Sequence, residues 1–218
     1  MLIPSNSKCI DSLLGGGAET GTITQIYGES GTGKTTLCLM FCRSAARIGR
    51  AAYIDTEGLS GERVLQVFGD KELLKRVLIH EVYDFKQQSS AIRKLSKICK
   101  NDDVRLVVVD SFTGLYRSEL EEGKAIKVKR ELTKQLTFLL GLARKYDVAV
   151  VITNQMFTDV DSGVDKPIGG PSMDHLSKVV IELSRADSGM RKARLIKHRW
   201  KAEGEECYYR LTDRGIEP

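Results

Sequence analysis

Nine residues, Gly28-Glu29-Ser30-Gly31-Thr32-Gly33-Lys34-Thr35-Thr36, carry the spacing G-x-x-x-x-G-K-[ST]. That spacing suits the binding of a nucleoside triphosphate. Glycines let successive backbone N–H groups curl around an anion without Cβ clashes. Lys34 reaches the β- and γ-phosphates, the Thr35 hydroxyl takes a place on Mg2+, and Thr36 bonds a phosphate further in. The flanking residues decide between this and a Gly-rich turn without function. Thr22 to Tyr27 reads as a buried strand, and Leu37, Met40, Phe41, Ala45 and Ile48 fall at helical spacing. Strand, loop and helix in that order aim a helix N-terminus at phosphate.

A second constellation supplies the metal and the water chemistry. Leu106-Val107-Val108-Val109-Asp110 is an apolar strand ending in a carboxylate, which places Asp110 to hold Mg2+ directly or through water. Ligands of open α/β sheets bind at the carboxyl ends of the strands, so the position fits. Tyr53-Ile54-Asp55-Thr56-Glu57 ends another strand in two acids, and Glu57 is the candidate base that orients and deprotonates the attacking water. A helix-capping or surface acid is the alternative. Asn154-Gln155 ends a further strand, and Gln155 is placed to sense the γ-phosphate just before a long loop.

Positioning these groups takes a layered α/β fold. Strands are expected at Ala51–Asp55, Val77–Glu81, Leu106–Asp110 and Val148–Thr153, with helices at Glu62–Arg76 in two pieces, at Gln87–Lys100 and at Lys127–Tyr146. Continuous apolar strands alternating with helices mean a parallel sheet covered on both faces. Val179–Leu183, Ala193–Lys197 and Cys207–Leu211 follow one another closely and are expected as antiparallel strands extending that sheet. Arg117–Ala125 and Met156–Pro171 take neither a strand nor a helix assignment. A loop as long as the second is usually functional or mobile.

Composition narrows the class. The chain has 218 residues and 41% apolar residues, enough for a sizeable core. No run of 18 apolar residues exists and the start lacks a signal-peptide layout, so a cytoplasmic protein without a membrane partner is expected. The five cysteines (Cys9, Cys38, Cys42, Cys99, Cys207) are odd in number and scattered, which suggests neither a disulfide framework nor a zinc spacing. Cys38 and Cys42, four apart on a helix, read as buried small side chains rather than a metal pair. Net charge is +5, and Arg191, Lys192, Arg194, Lys197, Arg199 and Lys201 crowd together. Such a cluster suits a polyanion partner or an ordinary solvated face.

Taken together, these segments resemble the RecA-type recombinase core, in particular the archaeal branch that contains RadA and shorter paralogues. Ser12 to Gly21 resembles the family's entry segment, Tyr53 to Gly58 its catalytic-glutamate strand, Leu106 to Arg117 its magnesium strand, Val150 to Gln155 its sensor strand, and Pro167 to Pro171 the end of its second DNA loop. The resemblance implies a RecA-like P-loop NTPase core: an α/β fold with a mostly parallel central sheet flanked by helices and antiparallel strands at the C-terminal end. It implies ATP and Mg2+ as ligands, and an arginine that packs on adenine, for which Arg63 is the match, about one position early. Only 27 residues precede Gly28. The family's N-terminal helical DNA-binding domain and its F-x-x-A linker do not fit there, so one RecA-like domain over residues 1–218 is expected.

The resemblance also implies DNA contacts from two loops. Arg117, Lys124, Lys127, Lys129 and Arg130 fall in the first, with Glu119, Glu121 and Glu122. Phe157, Lys166, Gly169 and Gly170 fall in the second, with Asp159, Asp161 and Asp165. Mixed charge implies few net phosphate contacts and salt-sensitive affinity for single-stranded or branched DNA, and Phe157 is placed to stack on a base. Lys197 and Arg199, taken to share one side of a strand, match a basic pair that reaches a neighbour's γ-phosphate. Two activities follow. One is a weakly hydrolysing, ATP-gated accessory to the main recombinase and other repair proteins, as a homodimer or an ATP-dependent oligomer. The other is a DNA-stimulated or KaiC-like oligomeric ATPase with its own motor activity.

Overall fold

The computed structural model describes residues 1–120, 125–158 and 165–218. In chain order the elements are β1 (Leu2–Ile3), α1 (Lys8–Leu13), β2 (Ala18–Glu19), β3 (Ile23–Gly28), α2 (Lys34–Ile48) and β4 (Arg50–Asp55). Then come α3 (Gly61–Phe68), α4 (Lys71–Leu74), β5 (Val77–Glu81), α5 (Phe85–Asn101), β6 (Val104–Asp110), α6 (Gly114–Ser118) and α7 (Ala125–Tyr146). The remainder comprises β7 (Ala149–Asn154), β8 (Met156–Thr158), β9 (Asp165–Pro167), α8 (Pro171–Leu176), β10 (Val179–Arg185), β11 (Arg191–Lys197), β12 (Glu206–Thr212) and β13 (Gly215–Glu217).

Among the described residues, the main sheet runs β13-β12-β11-β10-β3-β7-β6-β4-β5. β3 and β7 are buried along their whole length, as continuous apolar strands covered on both faces must be. One core packs α2 and α3 on one face, around Leu37, Phe41, Val67 and Val108. The other packs α5 and α7 on the opposite face, around Ile92, Leu136, Leu139 and Val109. Helix starts follow local chemistry: Asp84 caps α5 by accepting from the Gln87 N–H at 2.7 Å, and Ser60 caps α3 through the Arg63 N–H at 3.3 Å.

Parallel register sets the site. Tyr27 pairs with Asn154, Val109 with Ile152, and Asp55 with Asp110. The carboxyl ends of β3, β7, β6 and β4 therefore finish at one edge and deliver Gly28, Asn154, Asp110 and Asp55 side by side.

Several expectations are corrected. β10 pairs parallel with β3, and antiparallel pairing begins with β11. The segment from Met156 to Pro171 contains a short antiparallel pair, β8 with β9. Two-residue strands β1 and β2, too short to show a period, pair as Leu2↔Glu19 and Ile3↔Ala18. The cysteines do form a disulfide: Cys9 bonds Cys207 across 198 positions, with the Cα atoms 5.7 Å apart. It ties α1, which packs on β11 and β12, to β12 itself; spacing along the chain carries no trace of that contact. Cys38 and Cys42 are fully buried free thiols in the first core, as expected.

Closing so long a loop stabilises the fold by about 2–5 kcal/mol. A thiol reductant is therefore expected to lower the melting temperature by on the order of 10 °C, and to leave a Cys9→Ser/Cys207→Ser variant unmoved. Differential scanning calorimetry with and without reductant checks this.

Candidate nucleotide and DNA site

The phosphate loop joins β3 to α2. Gly28 takes φ +152, and a Cβ there would come within 1.9 Å of the Leu183 carbonyl oxygen, so only glycine lets β3 and β10 close up at this point. Gly33 takes φ +100, with the Leu211 side chain 2.5 Å from where its Cβ would stand. The loop is also held from behind: the buried Tyr209 hydroxyl on β12 donates to the Thr32 carbonyl at 2.8 Å. Lys34 Nζ donates to the carbonyls of Gly28 and Glu29, both at 2.8 Å. Burial pulls the Lys34 pKa below its ordinary value, and Glu57 and Asp110 oppose that shift.

Asp110 is 3% exposed at the end of β6. Its Oδ2 accepts from the Tyr53 hydroxyl on β4 at 2.6 Å, and its Oδ1 from the Thr153 hydroxyl on β7. Burial raises its pKa, while hydrogen bonds from Thr153, Tyr53 and Thr35 lower it. Thr35 and Asp110 thus stand together as hard oxygen donors, the kind that magnesium takes.

The two acids at the end of β4 divide their work. Asp55 is buried and accepts from the N–H groups of Glu57, Gly58 and Leu59 at 3.1, 2.9 and 2.7 Å, which fixes the turn. Glu57, carried by that turn, is exposed, and its Oε1 accepts from Gln155 Nε2 at 2.7 Å. Glu57, Gln155 and Lys34 line a cavity of about 340 Å³ with Gly28, Glu29 and Ser30. The residues present suit a nucleoside triphosphate with Mg2+: a loop of backbone donors, a partly desolvated ammonium, a hydroxyl beside a buried carboxylate, and an exposed acid across the cavity.

Met156 and Phe157 line this cavity and also a second one of about 750 Å³. The second brings together Arg117, Lys129, Phe157, Lys166, Gly169 and Gly170 from both expected DNA loops. Lys127 and Arg130 line a different groove on α7, and Lys124 lies outside the described residues. Arg63 donates through Nε and Nη2 to the Thr36 hydroxyl at 3.3 and 3.1 Å, and through Nη1 to the Thr212 carbonyl at 2.8 Å. It therefore sits at the rear of the phosphate loop.

Lys197 and Arg199 do not join the chain's own site. Gly28 pairs with Leu183, whereas Lys197 pairs with Val180, toward the opposite edge of the sheet. β11 ends at Lys197, so the two side chains do not share a strand face. Lys197 donates to the carbonyls of Asp174 and Ser177, and Arg199 bonds Glu19 at 3.0 Å. The wider basic cluster is similarly engaged: Lys192 and Arg194 pair with Glu206, and Lys201 with Glu205.

The sheet order and the loop at its carboxyl edge define a RecA-like α/β fold. The Rad51 family model matches residues 1–218, and the chain belongs to that family. It is similar to DNA repair and recombination protein RadB of Archaeoglobus fulgidus, with 68% identity covering 100% of this chain and 99% of that one. It is also similar to the protein of the same name from Methanococcoides burtonii, with 44% identity covering 97% and 96%. A solved structure described as a crystal structure of the RadB recombinase matches with a TM-score of 0.85 at 35% identity, over 99% of each chain.

Sequence reasoning missed Tyr53, Thr153 and Tyr209, the hydroxyls that hold Asp110 and the loop. Tyr53 and Thr153 left a signal: each is a polar group near the end of an otherwise apolar strand. Tyr53→Phe removes one donor to Asp110 and so raises the carboxyl pKa further. The acid limb of Mg2+-dependent ATP binding is expected to move to higher pH, because the carboxylate is lost earlier on acidification. Nucleotide-binding titrations across pH check the direction.

Proposed function

We propose that this chain is an ATP-binding, weakly hydrolysing, DNA-binding accessory protein that works as one RecA-like domain in homologous recombination and DNA repair. The observation that carries the reading is the Gln155–Glu57 hydrogen bond, which joins the candidate base to a chain segment that lines both cavities. The names of the similar proteins support the same reading.

ATP is the substrate. Backbone donors of residues 28–36 cradle its phosphates, with Lys34 reaching the β- and γ-phosphates. Thr35 and Asp110 would hold Mg2+, which would supply positive charge to neutralise the phosphates. Glu57 orients and deprotonates the attacking water, and Arg63 packs on the adenine ring. The Gln155 amide has two partners to choose between, Glu57 and a γ-phosphate oxygen. The Gln155 backbone carbonyl accepts from the Ile168 N–H at 3.0 Å, and Asn154 Nδ2 donates to the Ile168 carbonyl at 2.6 Å. A shift of Gln155 toward phosphate is thereby passed to the segment carrying Lys166, Gly169 and Gly170, making the γ-phosphate a switch.

DNA, single-stranded or branched, lies against Arg117, Lys129 and Lys166, with Phe157 stacking on a base; such contacts read backbone and stacking rather than sequence. Lys197 and Arg199 cannot serve the phosphates of their own chain from the opposite sheet edge, so any finger role requires a second copy. A single copy hydrolyses slowly, and ATP acts chiefly as a switch in work with the main recombinase and other repair proteins.

ATP hydrolysis measured with and without single-stranded DNA, over a range of protein concentration, tests this. Slow turnover indifferent to both is expected. Steep stimulation by DNA that rises with concentration would instead identify an oligomeric motor. Lys34→Ala is expected to abolish ATP binding. Glu57→Gln is expected to retain it while hydrolysis falls about 10²-fold or more; undiminished turnover would point to another base.

A further inference from the structure

The geometry points to a second nucleic-acid groove, formed by α5 and α7, that binds a phosphodiester backbone separately from the loop cavity. This inference rests on the DNA-binding reading above; it moves Lys127 and Arg130 from the first expected loop to a separate groove and adds Lys86, Arg93 and Lys134, which lie outside both loops.

Five cations line this groove, whose volume is about 760 Å³: Lys86 and Arg93 from α5, and Lys127, Arg130 and Lys134 from α7. Lys86 and Arg93 are seven apart, and the three on α7 stand at i, i+3 and i+7, so each helix presents one stripe. All five are exposed. Two carboxylates, Glu119 and Glu131, face the same space. Glu131 is already engaged, accepting from the Ser89 hydroxyl at 2.6 Å and lying 3.6 Å from Arg93. Among the described residues, no hydrogen bond or ion pair engages the side chains of Lys86, Lys127, Arg130 or Lys134. This contrasts with the C-terminal basic cluster, whose charges are mostly paired. Four unengaged cations facing one concave surface form an electrostatic footprint for a polyanion.

Spacing favours a nucleic acid. Lys127 to Lys134 spans about 10.5 Å of helix axis, long enough to face more than one phosphate of a strand. Lys129, between them in sequence, points to the other flank of α7 and lines the loop cavity. The first turns of α7 therefore separate two basic surfaces, and a strand leaving one can pass over the helix into the other.

The test is single-stranded DNA affinity of the whole chain across salt, for the unaltered protein, Lys86→Ala/Lys134→Ala, Lys129→Ala and the triple variant. Each lost phosphate contact flattens the slope of log K against log salt by about 0.7. The groove pair is expected to lower the slope by about 1.4. Lys129→Ala should contribute separately, so that the triple variant shows the sum. An unchanged slope in the groove pair, with Lys129→Ala still effective, overturns the groove alone. Polyglutamate that binds the groove while DNA affinity stays unchanged overturns it in favour of an acidic protein partner. Failure of the unaltered chain to bind DNA overturns the DNA-binding reading and this inference together.

Discussion

The Asp110 carboxylate sits at the end of β6 with both oxygens held from the side, by Tyr53 on β4 and by Thr153 on β7. A buried carboxylate is costly unless it is hydrogen-bonded or paired. The three strands must therefore keep their parallel register, because a slip of one residue would turn Tyr53 or Thr153 to the other face of the sheet. That same register brings Gly28, Asp55 and Asn154 to the edge beside Asp110. Desolvation raises the Asp110 pKa and lowers that of Lys34; hydrogen bonds from Thr153, Tyr53 and Thr35 counter the first shift, and the charges of Glu57 and Asp110 counter the second. A magnesium–phosphate ligand fits a place where an anion and a cation are already prepared but not in contact.

Around that fixed edge the remaining parts divide into supports and moving contacts. Asp55 fixes the turn that carries Glu57. Tyr209 and Leu211, brought up by the strand that the disulfide ties to α1, press on the phosphate loop from behind. The contacts able to exchange lie in front: Lys34 on two carbonyls of its own loop, and Gln155 on Glu57. A phosphate would give the Lys34 ammonium an anionic acceptor in place of neutral carbonyls, and would offer the Gln155 amide a second anion in place of Glu57. Thr113 ties the same region together, donating to Asn154 Oδ1 and accepting from the Gln155 N–H at 3.4 Å.

Much of this was legible in the sequence because the relevant signals are local. The phosphate loop sits between a strand and a helix at fixed spacing, and apolar strands ending in Asp110, Glu57 and Asn154-Gln155 name their own edge. What escaped depends on contacts between distant positions. Cys9 and Cys207 meet only because α1 packs on β12, and β10 runs parallel because it pairs with β3 from far upstream. The basic residues of the first loop form one run in sequence, yet helical rotation sends Lys129 to one side of α7 and Lys127 and Arg130 to the other. Lys197 and Arg199 look like a pair on a strand, but the strand stops between them.

On the function proposed, the candidate nucleotide and DNA surfaces are coupled through Gln155 and the segment it begins. Affinity for single-stranded DNA, measured with and without Mg2+ and a non-hydrolysable ATP analogue, tests it most directly. Coupling of this kind shifts the affinity by roughly 5–150-fold, and by thermodynamic reciprocity DNA must shift the analogue's affinity by the same factor. Equal DNA affinity in the two conditions, with the analogue bound, would contradict the account.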